Sequence, residues 1–171
     1  MKTKDMTMTN NYLNMKKNIL LLSLLYVLCA CSSSDDNESR DMSQPVISEQ
    51  GIIANPVECQ QYHPGDVIPF QYVFTDDVEL GNYNIEVHNN FDHHTHSGSA
   101  VDCEFEPKRE AGPKAWVFNQ NYTIPAGLQT YKARVDIQIP ADAETGDYHF
   151  MIRLTDRAGW QQLKAVAIKV K

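Results

Sequence analysis

Gly146-Asp147-Tyr148-His149-Phe150-Met151-Ile152-Arg153-Leu154-Thr155 alternates with period two: Tyr148, Phe150, Ile152 and Leu154 are large, apolar and two residues apart. Successive side chains of a β-strand point to opposite faces, so these four share one face, and that face belongs to a core. The same spacing recurs upstream. Tyr131 to Ile139 places Val135, Ile137 and Ile139 inward, and Tyr83-Asn84-Ile85-Glu86-Val87-His88 places Tyr83, Ile85 and Val87 inward. Val67 to Phe74 follows the turn residues Pro64-Gly65-Asp66, Val46 to Ala54 reads as a first strand, Ala115 to Ile124 as a weaker one, and Trp160 to Val170 as the last. From Gln44 onward no helical stripe competes with this pattern.

Seven short strands separated by turn residues predict an all-β chain, an antiparallel sandwich of immunoglobulin type over residues 45–171. The segment Ile139-Pro140-Ala141-Asp142-Ala143-Glu144-Thr145-Gly146-Asp147-Tyr148 resembles the corner between strands E and F of such domains. There a tyrosine at the start of strand F ties back to the preceding loop, and Tyr148 is the residue in that place. Thr155-Asp156-Arg157-Ala158-Gly159-Trp160 then reads as the turn between the last two strands.

The chain has 171 residues, room for one ordinary domain plus a tail. Fifteen Lys and Arg stand against 22 Asp and Glu, a net charge of −7. That acidic balance argues against a nucleic-acid partner, because no basic stripe exists to replace phosphate counterions. Apolar residues at 42% suffice for a core but not for a multi-span membrane protein.

The N-terminus reads as an address. Ile19 to Ala30 is an apolar run of twelve residues preceded by Lys16-Lys17. A spanning helix needs ~20 such residues, so the run reads as a secretory signal, residues 1–30, whose natural start is Met15. Leu28-Cys29-Ala30-Cys31 resembles a bacterial lipobox, which implies cleavage after Ala30 and a lipid on Cys31; a plain signal peptide with a free Cys31 is the alternative. Residues 31–44 begin Cys-Ser-Ser-Ser-Asp-Asp-Asn-Glu and read as a flexible tether. An acidic run after the lipidated cysteine resembles a surface-export signal, with a periplasm-facing spacer as the alternative. Residues 1–30 carry four Lys and one Asp, so the mature chain has a net charge of −10.

With Cys29 removed and Cys31 lipidated, Cys59 and Cys103 remain as the one available disulfide in an oxidising compartment. Such a bridge stabilises by roughly 4 kcal/mol on chain entropy. A metal thiolate with nearby histidines is the competing reading.

The chemistry concentrates in histidine. His93-His94-Thr95-His96 places three imidazoles within four positions, and short His-rich tracts bind metal or are solvated loops. Successive sandwich loops alternate between two poles, so His63, His88, His93, His94, His96, His149, Cys59 and Cys103 converge on one end. By strand parity His88 and His149 both face away from the core, and they end neighbouring antiparallel strands. A cross-strand pair there, with Cβ atoms ~5 Å apart, suits two imidazoles on one metal. His88, His93, His94, His96 and His149 are therefore the candidate ligands, with zinc or copper the leading metals. Asp92 is either a further ligand or an acceptor that orients an imidazole. His63 reads as a turn residue. At the opposite pole Thr75-Asp76-Asp77 and Asp156 are carboxylates suited either to calcium or to capping turns.

No P-loop, dinucleotide-binding glycine pattern, Gly-x-Ser-x-Gly elbow or His-Glu-x-x-His helix is present. Asn121-Tyr122-Thr123 matches a glycosylation sequon by accident in a bacterial chain. Asn55-Pro56-Val57-Glu58-Cys59, Val87 through His96 and Gly146 through Trp160 together resemble a family of Bacteroidota lipoproteins that carry a domain of unknown function with an immunoglobulin-like fold. The resemblance implies a fold and an envelope location and supplies no activity. The sequence thus predicts a non-enzymatic outer-membrane lipoprotein, cell-surface or periplasm-facing. Its histidine pole binds a transition metal, captured or presented to an outer-membrane receptor. A module that docks a partner protein or glycan through its loops is the alternative, and a metal-dependent enzyme is the third reading.

Overall fold

The structure is a computed structural model that describes residues 41–96 and 103–171. The signal segment, Cys31 and the tether up to residue 40 lie outside those residues. The described residues contain eight strands and no helix: β1 Val46–Ser48, β2 Gln60–Tyr62, β3 Val67–Thr75, β4 Leu80–Asn89, β5 Phe118–Thr123, β6 Thr130–Gln138, β7 Gly146–Asp156 and β8 Gln161–Val170. One sheet has the order β1-β3-β6 and the other β2-β8-β7-β4-β5. β7 thus lies between β4 and β8, as strand F lies between C and G in the immunoglobulin sandwich.

The period-two pattern sets which faces meet. Ile68, Phe70, Tyr72 and Phe74 of β3 and Ala133 and Ile137 of β6 are buried from one sheet. Tyr83, Ile85 and Val87 of β4 and Tyr148, Phe150, Ile152 and Leu154 of β7 are buried from the other. Phe70 stacks on Phe150 across the gap, ring centroids 5.8 Å apart. Each such side chain stabilises by roughly 1.5–3 kcal/mol when removed from water.

The first expected strand is shorter than its sequence pattern. Pairing of β1 with β3 stops at Ser48, and Gly51 at φ 73° turns the chain away. The chain then changes sheets and pairs Gln60–Tyr62 in parallel with β8, an eighth strand too short and too polar to declare itself. The fifth strand occupies Phe118–Thr123, the centre of the expected Ala115–Ile124.

The corner before β7 closes as expected: Tyr148 Oη donates to the Glu144 carbonyl at 2.5 Å. The same oxygen accepts the Trp116 amide at 3.2 Å, which draws in the far end of the long β4–β5 connection. That connection is held at several further points. Arg109 N donates to the Phe91 carbonyl, and its guanidinium lies 3.8 Å over the Phe91 ring. Phe91 rests on Gly146, where a Cβ would come within 2.5 Å of the ring. Asp147, buried and paired with Lys169 at 2.7 Å, accepts the Glu106 amide at 2.8 Å. The described parts of the connection therefore cover the end of the sheet, held by amides bonded to side chains of β7.

Candidate metal centre

His88 and His149 are direct partners in the antiparallel β4–β7 register, as strand parity requires. Their side chains leave the sheet on the face opposite the core, and there the β4–β5 connection folds over them. His149 is only 3% exposed. Ala167 of β8 is its other cross-strand neighbour, and the Ala167 carbonyl accepts the Cys59 amide at 2.8 Å. One row across the sheet thus reads His88, His149, Ala167, Cys59.

Cys59 is bonded to Cys103, Cα atoms 5.5 Å apart. Both sulfurs are used by this bridge, so thiolate ligation, open from the sequence, is not the arrangement here. The bridge fastens the return limb of the connection to β8, next to the histidine row.

Three imidazoles converge. His88 Nε2 lies 3.0 Å from His96 Nε2 and 3.3 Å from His94 Nε2. These three residues form a group whose donor atoms all lie within 4.8 Å of one another, a group that could hold a metal ion. A tetrahedral centre with Zn–N bonds of ~2.0–2.1 Å separates its donors by about 3.3 Å, the spacing found here.

The tautomers agree with that geometry. His94 Nδ1 donates to Asp92 Oδ1 at 2.6 Å, which leaves the lone pair on Nε2. Glu86 Oε1 lies 3.0 Å from His88 Nδ1 but off the N–H axis, so the contact is electrostatic and Nδ1 has no hydrogen-bond partner. The negative charge there favours a proton on Nδ1 and a lone pair on Nε2. His88 Nε2 and His94 Nε2 lie 3.3 Å apart, a separation that either a shared proton or a cation between them bridges. Asp92 thus accepts a hydrogen bond from His94. The hydrogen bond to His94 holds its carboxyl below the usual range.

The other expected ligands are placed elsewhere. His149 Nε2 donates to the His94 carbonyl at 3.1 Å, and its Nδ1 is buried without a partner. Its ring centroid is 5.6, 5.1 and 4.7 Å from those of His88, His94 and His96, yet it is outside the convergent group. The backbone that carries His94 passes over it and takes its N–H. His93 is turned away by its left-handed backbone, φ 58°. Its ring stacks on Phe105 at 4.6 Å and its Nε2 donates to the Glu106 carbonyl at 2.9 Å. His93 therefore fastens the outgoing limb of the connection to the returning one. His63 is a turn residue, its amide donating to Asp66 Oδ2 at 2.7 Å.

Burial and the neighbouring imidazoles favour the neutral form of His149 and His96. Burial is the main force on His149, with the neighbouring histidines adding to it and the His94 carbonyl opposing; together they push its pKa down to about 4. Burial, then His88 and His94, also lowers His96. Neutral imidazoles are the form that binds metal. Glu86 is the contribution that spacing did not identify. Glu86 shares His88's face by parity, which is the signal that would have found it.

Fold and site together define an all-β sandwich with a histidine-lined pole roofed by a disulfide-tied loop. The chain belongs to a family defined by a domain of unknown function, DUF4625, whose model matches residues 29–171. No curated protein matches it. Among solved structures it is similar to Spo0M, a sporulation control protein from Bacillus subtilis, at 12% identity and a TM-score of 0.40. That match covers 76% of this chain and 50% of the other, so the chain spans about half the length of Spo0M. A likeness this low carries no functional argument. The comparisons indicate no enzyme family.

Proposed function

We propose that this chain is a lipid-anchored envelope protein of the Bacteroidota whose sandwich holds a transition-metal ion on His88, His94 and His96. The convergence of three Nε2 atoms at 3.0 and 3.3 Å carries the reading. His88 stands on a rigid central strand, while His94 and His96 arrive on a loop fixed by Cys59–Cys103, Asp147 and the Phe91–Arg109 contact. Preorganisation of this kind lowers the entropy cost of assembling a site. All-imidazole donors suit zinc and copper, and three protein ligands leave a coordination position for a further group. Such a site captures metal or presents it to an outer-membrane receptor. The lipid on Cys31 keeps it at the membrane; the family match begins at residue 29 and so extends through that cysteine.

Metal analysis of the protein purified without a polyhistidine tag tests the proposal. One equivalent of zinc or copper, lost in the His88→Ala and His94→Ala variants, is expected. Protein that stays metal-free at micromolar free zinc and copper overturns it.

A further inference from the structure

The pole opposite the histidines carries a second set of donors, all oxygen. It lies eight residues along β4 from His88, about 26 Å at the rise of a strand. Asp76 and Asp77 occupy the β3–β4 turn, Asp156 ends β7, and Asp41 belongs to the segment by which the chain enters β1. Asp41, Asp76 and Asp77 each offer a carboxylate oxygen within 4.8 Å of the other two.

Two of these carboxylates divide their oxygens in the same way. Asp76 Oδ1 accepts the amides of Val78 and Glu79 at 2.9 and 2.7 Å. Asp156 Oδ1 accepts those of Gly159 and Trp160 at 2.6 and 2.8 Å. Each Oδ1 caps its own turn, which is the role the sequence offered as the alternative to calcium. Capping does not account for the second oxygens. Asp76 Oδ2 and Asp156 Oδ2 are both buried and have no partner, and Asp156 as a residue is only 3% exposed. A buried carboxylate oxygen without a donor is costly. Among the described residues no Lys, Arg or His forms an ion pair with any of the four; Arg157, nearby in sequence, pairs with Glu79. Burial first, and then the charges of Asp76 and Asp41, raise the pKa of Asp156.

We propose that Asp41, Asp76 and Asp77 hold a hard divalent cation of the calcium class, with the buried Asp156 carboxylate adding its charge nearby, and that the cation clamps the entry segment onto the β3–β4 turn. A dication supplies the positive charge that these carboxylates lack and gives the orphan Asp76 Oδ2 a partner. Carboxylates from two separate segments suit calcium's large, irregular shell better than the strict octahedron of magnesium, and the absence of nitrogen or sulfur donors in the group disfavours zinc. The clamp acts where the chain enters the domain. Asp41 is already tied there, its carbonyl accepting Trp160 Nε1 at 3.0 Å and its Oδ1 the Ser43 amide at 3.0 Å.

Trp160 makes the site directly readable, because an indole this close sensitises the emission of a bound terbium ion, a calcium surrogate. Titration of the intact mature protein with terbium, and competition with calcium, is the experiment. Saturable emission with one equivalent, displaced by calcium with a Kd of about 10−4 to 10−3 M, is expected. Asp156→Asn and Asp76→Asn keep the Oδ1 caps and remove the charge, so both variants fold and weaken binding by at least about tenfold. Asp142→Asn, which removes an exposed carboxylate elsewhere, leaves it unchanged. Absence of sensitised emission, or binding unaltered in both Asp156→Asn and Asp76→Asn, overturns the proposal.

Discussion

His149 stands directly opposite His88 in the β4–β7 ladder, yet the two imidazoles face different partners. His88 Nε2 meets the Nε2 atoms of His94 and His96, whereas His149 Nε2 is bound to the His94 carbonyl. In the proposed centre one member of the pair is a donor, and the other holds the loop that brings the remaining donors. A glutamine at 149 can still donate an amide proton to that carbonyl, while an alanine cannot. His149→Gln is therefore expected to retain metal affinity near the parent's and His149→Ala to lose about tenfold or more. Metal titration of both variants checks this. Equal loss in the two makes His149 a ligand.

In the proposed centre Asp92 acts through His94. Its carboxylate fixes the Nδ1–H tautomer and so presents the Nε2 lone pair. Asp92→Asn is expected to weaken metal affinity by about 10- to 100-fold, the usual effect of removing a group that orients a ligand. Thermal unfolding of the metal-free variant should match the parent, because Asp92 is exposed. A large drop in melting temperature with unchanged affinity contradicts the orienting role.

The pairing of His88 with His149 was legible in the sequence because strand parity is exact over short runs. Phe150, Ile152 and Leu154 fix the register of β7, and Ile85 and Val87 fix that of β4. Asp92 was legible through its distance of two residues from His94. The position of His93 was not, because a positive φ at one residue reverses a side chain and leaves no trace in spacing. His149 was read as facing away from the core and does so, but its burial depends on a connection of nearly thirty residues whose path is set by Asp147, Arg109 and Cys103. Those long-range contacts have no local pattern. β2 was missed for a similar reason: Gln60-Gln61-Tyr62 is held by the edge of β8 rather than by its own propensity.

Anchoring is tested apart from metal. Cys31→Ala removes the atom that the lipobox reading acylates, and the protein is expected to move from the membrane fraction to the soluble one. Unchanged fractionation refutes the covalent anchor. Protease digestion of intact cells then distinguishes surface exposure from a periplasmic orientation.

The disulfide couples stability to the centre. Cys59 is fixed on β8 beside the His149 row, and Cys103 lies on the returning limb of the loop that carries His94 and His96. Replacing both cysteines by serine opens a closed loop of 44 residues, for an expected loss of about 4 kcal/mol in the chain-entropy model. Metal affinity is expected to fall as well, because the freed limb no longer holds the loop in place before binding. Denaturant unfolding and metal titration of the double variant read the two effects separately. A destabilised protein with parental affinity shows that the bridge serves the fold alone.

Acid reads the buried imidazole. His149 titrates at about 4 in the folded protein against an ordinary value near 6.5, and His96 is lowered as well. Between those limits the unfolded chain binds protons that the folded chain refuses. By linkage the contribution of these groups to stability is complete above pH ~6.5 and is lost progressively as pH falls toward about 4. His149→Gln removes the larger part of that dependence while keeping the bond to the His94 carbonyl, so its stability should change less over this interval than the parent's. Metal opposes the same loss, since it binds the neutral cluster of the folded state. Saturating zinc is therefore expected to stabilise the parent strongly at neutral pH and to do so less as the ligands protonate. Denaturant melts at several pH values, with and without zinc, measure both slopes. A parent and a His149→Gln variant with identical acid profiles would remove His149 as the source.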